Sequence, residues 1–295
     1  MVGTHRRDMP DYDKGSQKLR FLITGLNSIT GWQLFRLTAG HFETHGTFRK
    51  PTEKLRPGVY FHRTDMEDRE SLRDLLQHVR PDYLVHAWAI CDLDLCEAEP
   101  ALPQRINVEG TRRILELASE ISNLKKFVYI STDHVFNGDT GGYAEDHPTC
   151  PKHQYGKSKE EAERLVRNFG LPYLIIRPGL VIGDSVQGNK GPKDWLLSRI
   201  HSGKPTHLFV DEWRTPVDAV ELSKRTLQLV LSGRTGIYHV SCKTSINRYE
   251  LGKRLAEQHG LSSDRVFPKF RHQDNWAAIR PKDLSLKTIY ESAGD

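Results

Sequence analysis

The chain predicts an α/β fold, a doubly wound parallel sheet followed by a smaller C-terminal lobe. Three observations carry that reading. Short apolar runs alternate with amphipathic stretches, which is the pattern of successive βαβ units. The first apolar run opens directly into a glycine-containing turn and then a helix. After Pro178 the rhythm loosens into the Gly- and Lys-rich text GDSVQGNKGPKD.

Leu19 to Thr24 reads as the first strand and Ile29 to Ala39 as the helix after it. A second strand ends near Phe48 and a third covers Tyr60 to Arg63. Arg69 to Val79 has helical periodicity with Asp68 placed as its N-cap,. Tyr83 to Ala89 reads as a fourth strand, Asn107 to Ile121 as a long helix and Lys126 to Ser131 as a fifth strand. A helix from Tyr155 to Asn168 and a strand from Pro172 to Arg177 complete the series. In the second lobe, helices are expected over 195–202, 217–232 and 248–259, with a strand over 236–241. The division is therefore a flexible N-terminal extension over 1–18, a dinucleotide-type domain over 19–178 and a mainly substrate-binding lobe over 179–295, with ligands beyond the carboxyl ends of the strands.

Composition narrows the function. The 295 residues can bury a sizeable core,. The hydrophobic fraction of 37% and the absence of any long apolar run argue against a membrane span,. The first 18 residues lack the apolar stretch of a secretory signal, so the cytoplasm is the default compartment,. Cys91, Cys96, Cys150 and Cys242 form no CxxC pair, and no metal site is expected,. His41 and His45 could share a helix face, but surface histidines are the simpler reading. The net charge of +5 suits anionic ligands, and its scatter gives nucleic-acid binding little support,. A homodimer stays open as an assembly state.

The turn Thr24-Gly25-Leu26-Asn27-Ser28-Ile29-Thr30-Gly31 has the spacing TGxxGxxG with Ser28 at the middle glycine. Gly25 permits the tight turn and Gly31 the close approach of helix and strand, while the helix N-terminus offers N–H groups to a pyrophosphate. This is the signature of a Rossmann-type domain. Ser28 would crowd the phosphates slightly, although its hydroxyl could donate to one. About 20 residues on, where NAD sites place an acid, the second strand ends in Phe48-Arg49-Lys50. Two cations there favour the 2′-phosphate of NADP, with NAD as the alternative. Asp65 could accept from the adenine amino group or serve as a helix cap.

Tyr155 and Lys159 stand four residues apart, on one face of a helix,. A neighbouring ammonium favours the phenolate and brings proton transfer closer to neutral pH. Tyr155 would then protonate a carbonyl oxygen that receives hydride, and Thr132, at the end of the fifth strand, would stabilise the charge developing on it.

The words Ser131-Thr132-Asp133-His134-Val135-Phe136-Asn137-Gly138, Tyr155-Gly156-Lys157-Ser158-Lys159 and Arg177-Pro178 resemble the dTDP-4-dehydrorhamnose reductase family of extended short-chain dehydrogenases/reductases. His86-Ala87-Trp88-Ala89, Asn107-Val108-Glu109-Gly110-Thr111, Arg214-Thr215-Pro216-Val217, Gly236-Ile237-Tyr238-His239-Val240 and Arg280-Pro281 extend the resemblance over residues 19 to 291. It implies an oxidoreductase with a nicotinamide cofactor acting on a nucleotide-diphosphate sugar with a 4-keto-6-deoxy ring, with Thr132, Tyr155 and Lys159 catalytic. The implied cofactor contacts are Gly25, Asn27, Ser28, Ile29, Thr30, Gly31, Arg49, Lys50, Asp65, Met66, Ala87, Trp88, Ala89, Tyr155, Lys159 and Arg177. On the substrate side stand Asp133, His134, Leu180, Arg214 and Arg280, with Lys190 and Lys193 as further cations in the loop.

Three positions depart from the family pattern. Ser28 replaces a glycine, His134 a tyrosine, and Leu180 the tryptophan usual in rhamnose-forming members. Ketoreduction is thus a safer expectation than rhamnose formation. An epimerase or dehydratase is the related alternative, although no glutamate stands beside Thr132 and Asp133 fits that role only in part. The resemblance also extends to the regulatory β-subunit of methionine adenosyltransferase, which leaves a non-catalytic NADP-binding regulator as the alternative from another class.

Overall fold

The computed structural model describes residues 18–273 and 278–290, so the expected N-terminal extension lies, up to residue 17, outside the described residues. The strands are β1 (Arg20–Thr24), β2 (Glu43–Phe48), β3 (Phe61–Arg63), β4 (Tyr83–His86), β5 (Lys126–Ile130), β6 (Tyr173–Pro178), β7 (Leu180–Ile182), β8 (Thr206–Phe209), β9 (Trp213–Arg214), β10 (Pro216–Asp218), β11 (Gly236–Val240), β12 (Ile246–Asn247) and β13 (Val266–Lys269). The helices are α1 (Ile29–Thr38), α2 (Arg69–Val79), α3 (Leu93–Ala98), α4 (Ala101–Pro103), α5 (Gly110–Ser119), α6 (Gln154–Asn168), α7 (Gly191–His201), α8 (Ala219–Leu231) and α9 (Arg248–Gln258), with a π-helical turn over Gln104–Glu109.

Seven strands form one sheet in the order β11-β6-β5-β4-β1-β2-β3. Every pairing in it is parallel. Both faces of such a sheet must be covered, which is why its strands read as near-continuous apolar runs. Leu34 and Phe35 of α1 and Leu222, Leu227 and Val230 of α8 cover one face. Leu72 and Leu76 of α2, Ile114 and Leu115 of α5, and Ala162 and Val166 of α6 cover the other. The strand order reverses between β1 and β4, and the ligand crevice of a doubly wound sheet opens at that point.

Two elements depart from their expected place. The segments 217–232 and 236–241, expected in the second lobe, join the central sheet: α8 packs beside α1 and β11 pairs in parallel with β6. The physical reason is burial. Without β11, the apolar strand β6 would be an open sheet edge. The second lobe is instead built from β7–β10 (with β11 excluded), β12 and β13 with α7 and α9, around Leu196, Leu208, Leu251, Leu255 and Val266. Pro192 at the first turn of α7 starts that helix four residues earlier than expected,.

The fourth strand also stops at His86 rather than Ala89. Ile90 is held off the ladder by the Asn107 side chain, whose Oδ1 accepts from the Ile90 N–H at 2.9 Å and whose Nδ2 donates to the Ile90 carbonyl at 3.0 Å. The same Nδ2 donates to the Ser158 hydroxyl at 2.9 Å, tying the crevice wall to α6. His41 and His45 share no helix: His41 lies in the turn after α1, and His45 lies in β2.

Candidate active site

A cavity of about 1480 Å³ opens above the carboxyl ends of β1, β4 and β5 and runs beneath the second lobe. It is large enough for a dinucleotide and a second ligand together, since ordinary small-molecule pockets rarely exceed about 1,000 Å³.

The phosphate loop forms one end. Gly25 has φ of +81°, and a Cβ there would lie 2.8 Å from the Trp88 Cα. A Cβ on Gly31 would lie 2.5 Å from the Gly25 carbonyl oxygen, so that position holds the helix against the strand without lining the cavity. Ser28 behaves otherwise than expected. Its hydroxyl donates to the Gly25 carbonyl at 2.8 Å and accepts from the Gly31 N–H at 3.0 Å. The serine is an N-cap whose proton is already used within the loop. Asn27 extends the loop sideways: its Nδ2 donates to the Lys50 carbonyl at 3.1 Å, and its Oδ1 accepts from the Arg49 N–H at 3.2 Å.

Of the sixteen expected cofactor contacts, Asn27, Ile29, Thr30, Arg49, Lys50, Ala87, Trp88 and Ala89 line the cavity, as do Gly25, Ser28, Tyr155 and Lys159. Three others stand elsewhere for packing reasons. Met66 is buried in the core under α2 and α5. The Asp65 carboxylate accepts from the Glu67 N–H at 3.0 Å, closing a turn, while Asp68 caps α2. Arg177 is buried and holds Glu163 through contacts of 2.7, 3.0 and 3.3 Å. Glu163 in turn accepts from the Ser131 hydroxyl at 2.5 Å. Arg177 therefore braces the strand end that carries Thr132 and does not reach the cavity.

Thr132, Tyr155 and Lys159 meet at the centre of the cavity wall. The Thr132 hydroxyl faces the Tyr155 phenol, donates to the Asp133 carboxylate at 3.2 Å and accepts from the His134 N–H at 3.2 Å. Gly156 lets α6 begin close beneath this point, since a Cβ there would lie 2.3 Å from the His134 carbonyl oxygen. The expected lowering of the Tyr155 phenol is reversed. Burial pushes it up, with the nearby Cys91 thiol and Asp133 adding to the shift, so Tyr155 stands protonated at neutral pH. Lys159 is 2% exposed, and burial brings its ammonium down to about 7 against the opposing pull of Glu163. Its Nζ donates to the Ile130 carbonyl at 2.8 Å and lies 4.1 Å from the centre of the Tyr129 ring,.

The expected substrate residues Asp133, His134, Leu180, Arg214 and Arg280 all line the other side. Arg214, 5% exposed, is not available as a simple phosphate anchor. Its Nε and Nη2 grip the buried Asp133 carboxylate at 2.5 to 2.9 Å, and Nη1 lies 3.5 Å from Glu212. Burial pushes the Asp133 carboxyl up, but the fork of Arg214 opposes it and the pair holds Arg214 firmly cationic,. An Asp133 so held is poorly placed as the acid–base partner that a dehydratase needs. Arg280 bonds Asp94 at 2.5 Å. Lys190 lines the cavity, whereas Lys193 lies off it, paired with Asp184.

The structure adds Trp195, Arg199 and Arg248 to the substrate side. Arg199 lies over the Trp195 ring at 5.4 Å. Their i,i+4 spacing on a helical segment was a readable signal, whereas Arg248 carries none beyond following the N-cap Asn247.

A solved structure of dTDP-4-dehydrorhamnose reductase from Bacillus anthracis in complex with NADP is similar over 92% of this chain and 91% of its own, with a TM-score of 0.80 and 26% identity. A probable low-salt glycan biosynthesis reductase of Haloferax volcanii is 29% identical over 269 residues, 90% of this chain and 88% of its own. Methionine adenosyltransferase 2 subunit beta of Xenopus laevis is 26% identical over 258 residues, 84% of this chain and 75% of its own. The model of the RmlD substrate binding domain matches residues 19–292. With the seven-stranded parallel sheet and this cavity, a match over nearly the whole chain means that the protein belongs to the RmlD substrate-binding-domain family.

Proposed function

We propose that the protein uses NADPH to reduce a 4-keto group on a nucleotide-linked deoxy sugar. The observation that carries this reading is the meeting of Thr132, Tyr155 and Lys159 in one cavity wall between the phosphate loop and the second lobe. The cradle fits a dinucleotide: Gly25 and the N-terminus of α1 suit the pyrophosphate, and Arg49 and Lys50 suit a 2′-phosphate,. When bound, NADPH supplies the hydride. Tyr155, kept protonated by burial, gives its proton to the carbonyl oxygen, and the Thr132 hydroxyl hydrogen-bonds that oxygen as charge develops on it. The Lys159 ammonium then favours the phenolate that remains.

The nucleotide diphosphate would lie toward Arg248, Lys190 and Arg280, whose Asp94 partner is itself part-exposed, since Arg214 is locked by the fully buried Asp133. Leu180 offers a smaller apolar face than the tryptophan of rhamnose-forming relatives. A ring differing from the rhamnose precursor in size or substituents should therefore be preferred.

The test is NADPH oxidation across a panel of nucleotide-linked keto sugars that includes dTDP-4-dehydrorhamnose. Turnover should appear with at least one, and Tyr155→Phe should lose about a hundredfold or more in kcat while still binding NADPH. If dTDP-4-dehydrorhamnose wins the panel outright, the reading of Leu180 fails. The likeness to methionine adenosyltransferase 2 subunit beta supports a second reading, a regulator that binds cofactor without chemistry. NADP bound with no turnover of any keto sugar, together with a tight protein partner, would put that reading first.

A further inference from the structure

The substrate wall contains a pair of histidines whose protonation can be deduced from hydrogen bonding alone. His153 is the N-cap of α6, a position usually held by Ser, Thr, Asp or Asn,. The Gly156 N–H donates to His153 Nδ1 at 3.1 Å. A backbone N–H can only donate, so Nδ1 carries the lone pair and the ring proton sits on Nε2. That Nε2 lies 2.8 Å from Nδ1 of His134. It must donate there, which leaves the His134 proton on its own Nε2.

We propose that His153 is a positioning residue that fixes His134 as a neutral imidazole with its Nε2–H facing the cavity, where it donates to an acceptor oxygen of the sugar beside the reacting carbonyl. The sugar half of this statement rests on the reductase reading above; the tautomer half does not. His134 is part of the cavity wall, and its Nε2 makes no hydrogen bond among the described residues. The reacting phenol is adjacent: Tyr155 meets His134 edge-on with ring centroids 5.9 Å apart and lies parallel to His153 at 6.1 Å.

The surroundings favour the uncharged pair. Burial lowers His134 well below its ordinary range, and Arg214, His153, Arg280 and Arg248 push the same way. His153 is brought down to about 4, by burial first and then by Arg280 and Arg214. The consequence for recognition is specific. A tyrosine hydroxyl in this place could donate or accept, whereas a fixed Nε2–H only donates. His134 therefore reads an oxygen lone pair and has nothing to offer a substituent that must donate.

The experiment uses the full chain with NADPH and dTDP-4-dehydrorhamnose as the probe. Nitrogen-edited imidazole spectra at neutral pH should show both His134 and His153 as neutral Nε2–H tautomers. His153→Asn keeps a capping acceptor for the Gly156 N–H and removes the donor to His134. It should release the His134 tautomer and raise KM about tenfold, with kcat changed less than about threefold and NADPH affinity unchanged. Adding His134→Tyr to that variant should recover most of the KM, because a phenol needs no relay.

An imidazolium or Nδ1–H form of His134 in the unaltered protein overturns the proposal, as does a KM within twofold in His153→Asn. If no keto sugar of the panel is turned over, a shift of the His134 Nε2–H resonance on addition of dTDP-4-dehydrorhamnose sustains the proposal while defeating the reductase reading. An unmoved resonance defeats both.

Discussion

At one end of the cavity Arg49 and Lys50 stand exposed on the turn after β2, with no carboxylate at salt-bridge distance among the described residues; at the other, Arg214 and Arg280 are each held by an acid. The formal charges are the same, but their tasks differ. An exposed cation adds little to stability and can be given wholly to a ligand anion. Arg214, buried with Asp133, is part of the scaffold, and removing it leaves the acid uncompensated, whereas the part-exposed Arg280–Asp94 pair lies between the two cases,. Lys159 belongs to neither set, being buried on a backbone carbonyl and an aromatic face with no carboxylate at salt-bridge distance among the described residues.

The largest effect should come from Arg214→Ala. It strands Asp133 in the interior and should cost about 3–5 kcal/mol in urea unfolding. A loss below about 1 kcal/mol would show that the pair is not structural. The replacement of both Arg49 and Lys50 by Ala sharpens the contrast from the other side. Unfolding should move by no more than about 0.5 kcal/mol, while NADPH affinity falls about a hundredfold through the loss of two charge-assisted contacts. NADH affinity should stay within about threefold, and equal losses for the two cofactors would leave these cations as a solvated turn.

Lys159 is read by pH. Its ammonium is present below about 7 and lost above it. The kcat of keto reduction should therefore fall several-fold between pH 7 and 8.5, and Lys159→Arg, which cannot deprotonate in that range, should move the falling limb to higher pH. The smallest effect is expected from Arg280→Ala, a rise in KM of about threefold to tenfold with little change in kcat, because Arg280 shares its charge with Asp94.

The residues whose roles depend on local spacing were legible before the structure. Gly25 and Gly31 follow from the needs of a strand–turn–helix, and Tyr155 with Lys159 from the pitch of a helix. The partners supplied by distant segments were not legible. His134 and His153 are 19 residues apart, and Arg214 and Asp133 are 81 apart. Nothing in their neighbours announces either contact. Arg177 and Met66 escape for the same reason: Arg177 precedes the cavity-lining Pro178 yet sends its side chain to Glu163, and Met66 packs into the core beneath α2 and α5. Ser28, by contrast, was legible in kind. A serine just before a helix is an N-cap, and that local chemistry took precedence over the phosphate role suggested by the spacing.

The return of β11 to the central sheet has a consequence for the order in which the protein can be made. When ribosomal synthesis has passed Pro178, six of the seven sheet strands exist, but the outer edge of β6 has no partner and α1 has no α8 to cover it. Residues 179–235, which hold part of the other lobe together with α8, must emerge before Gly236–Val240 can dock. During that interval the buried run Leu174, Ile175 and Ile176 borders an open ladder, the kind of edge on which nascent chains associate with one another,. A fragment ended at Pro178 would carry that edge permanently, whereas one extended through Val240 would cap it. The cofactor-binding unit is finished at Val240, with part of the second lobe already threaded through its interior sequence.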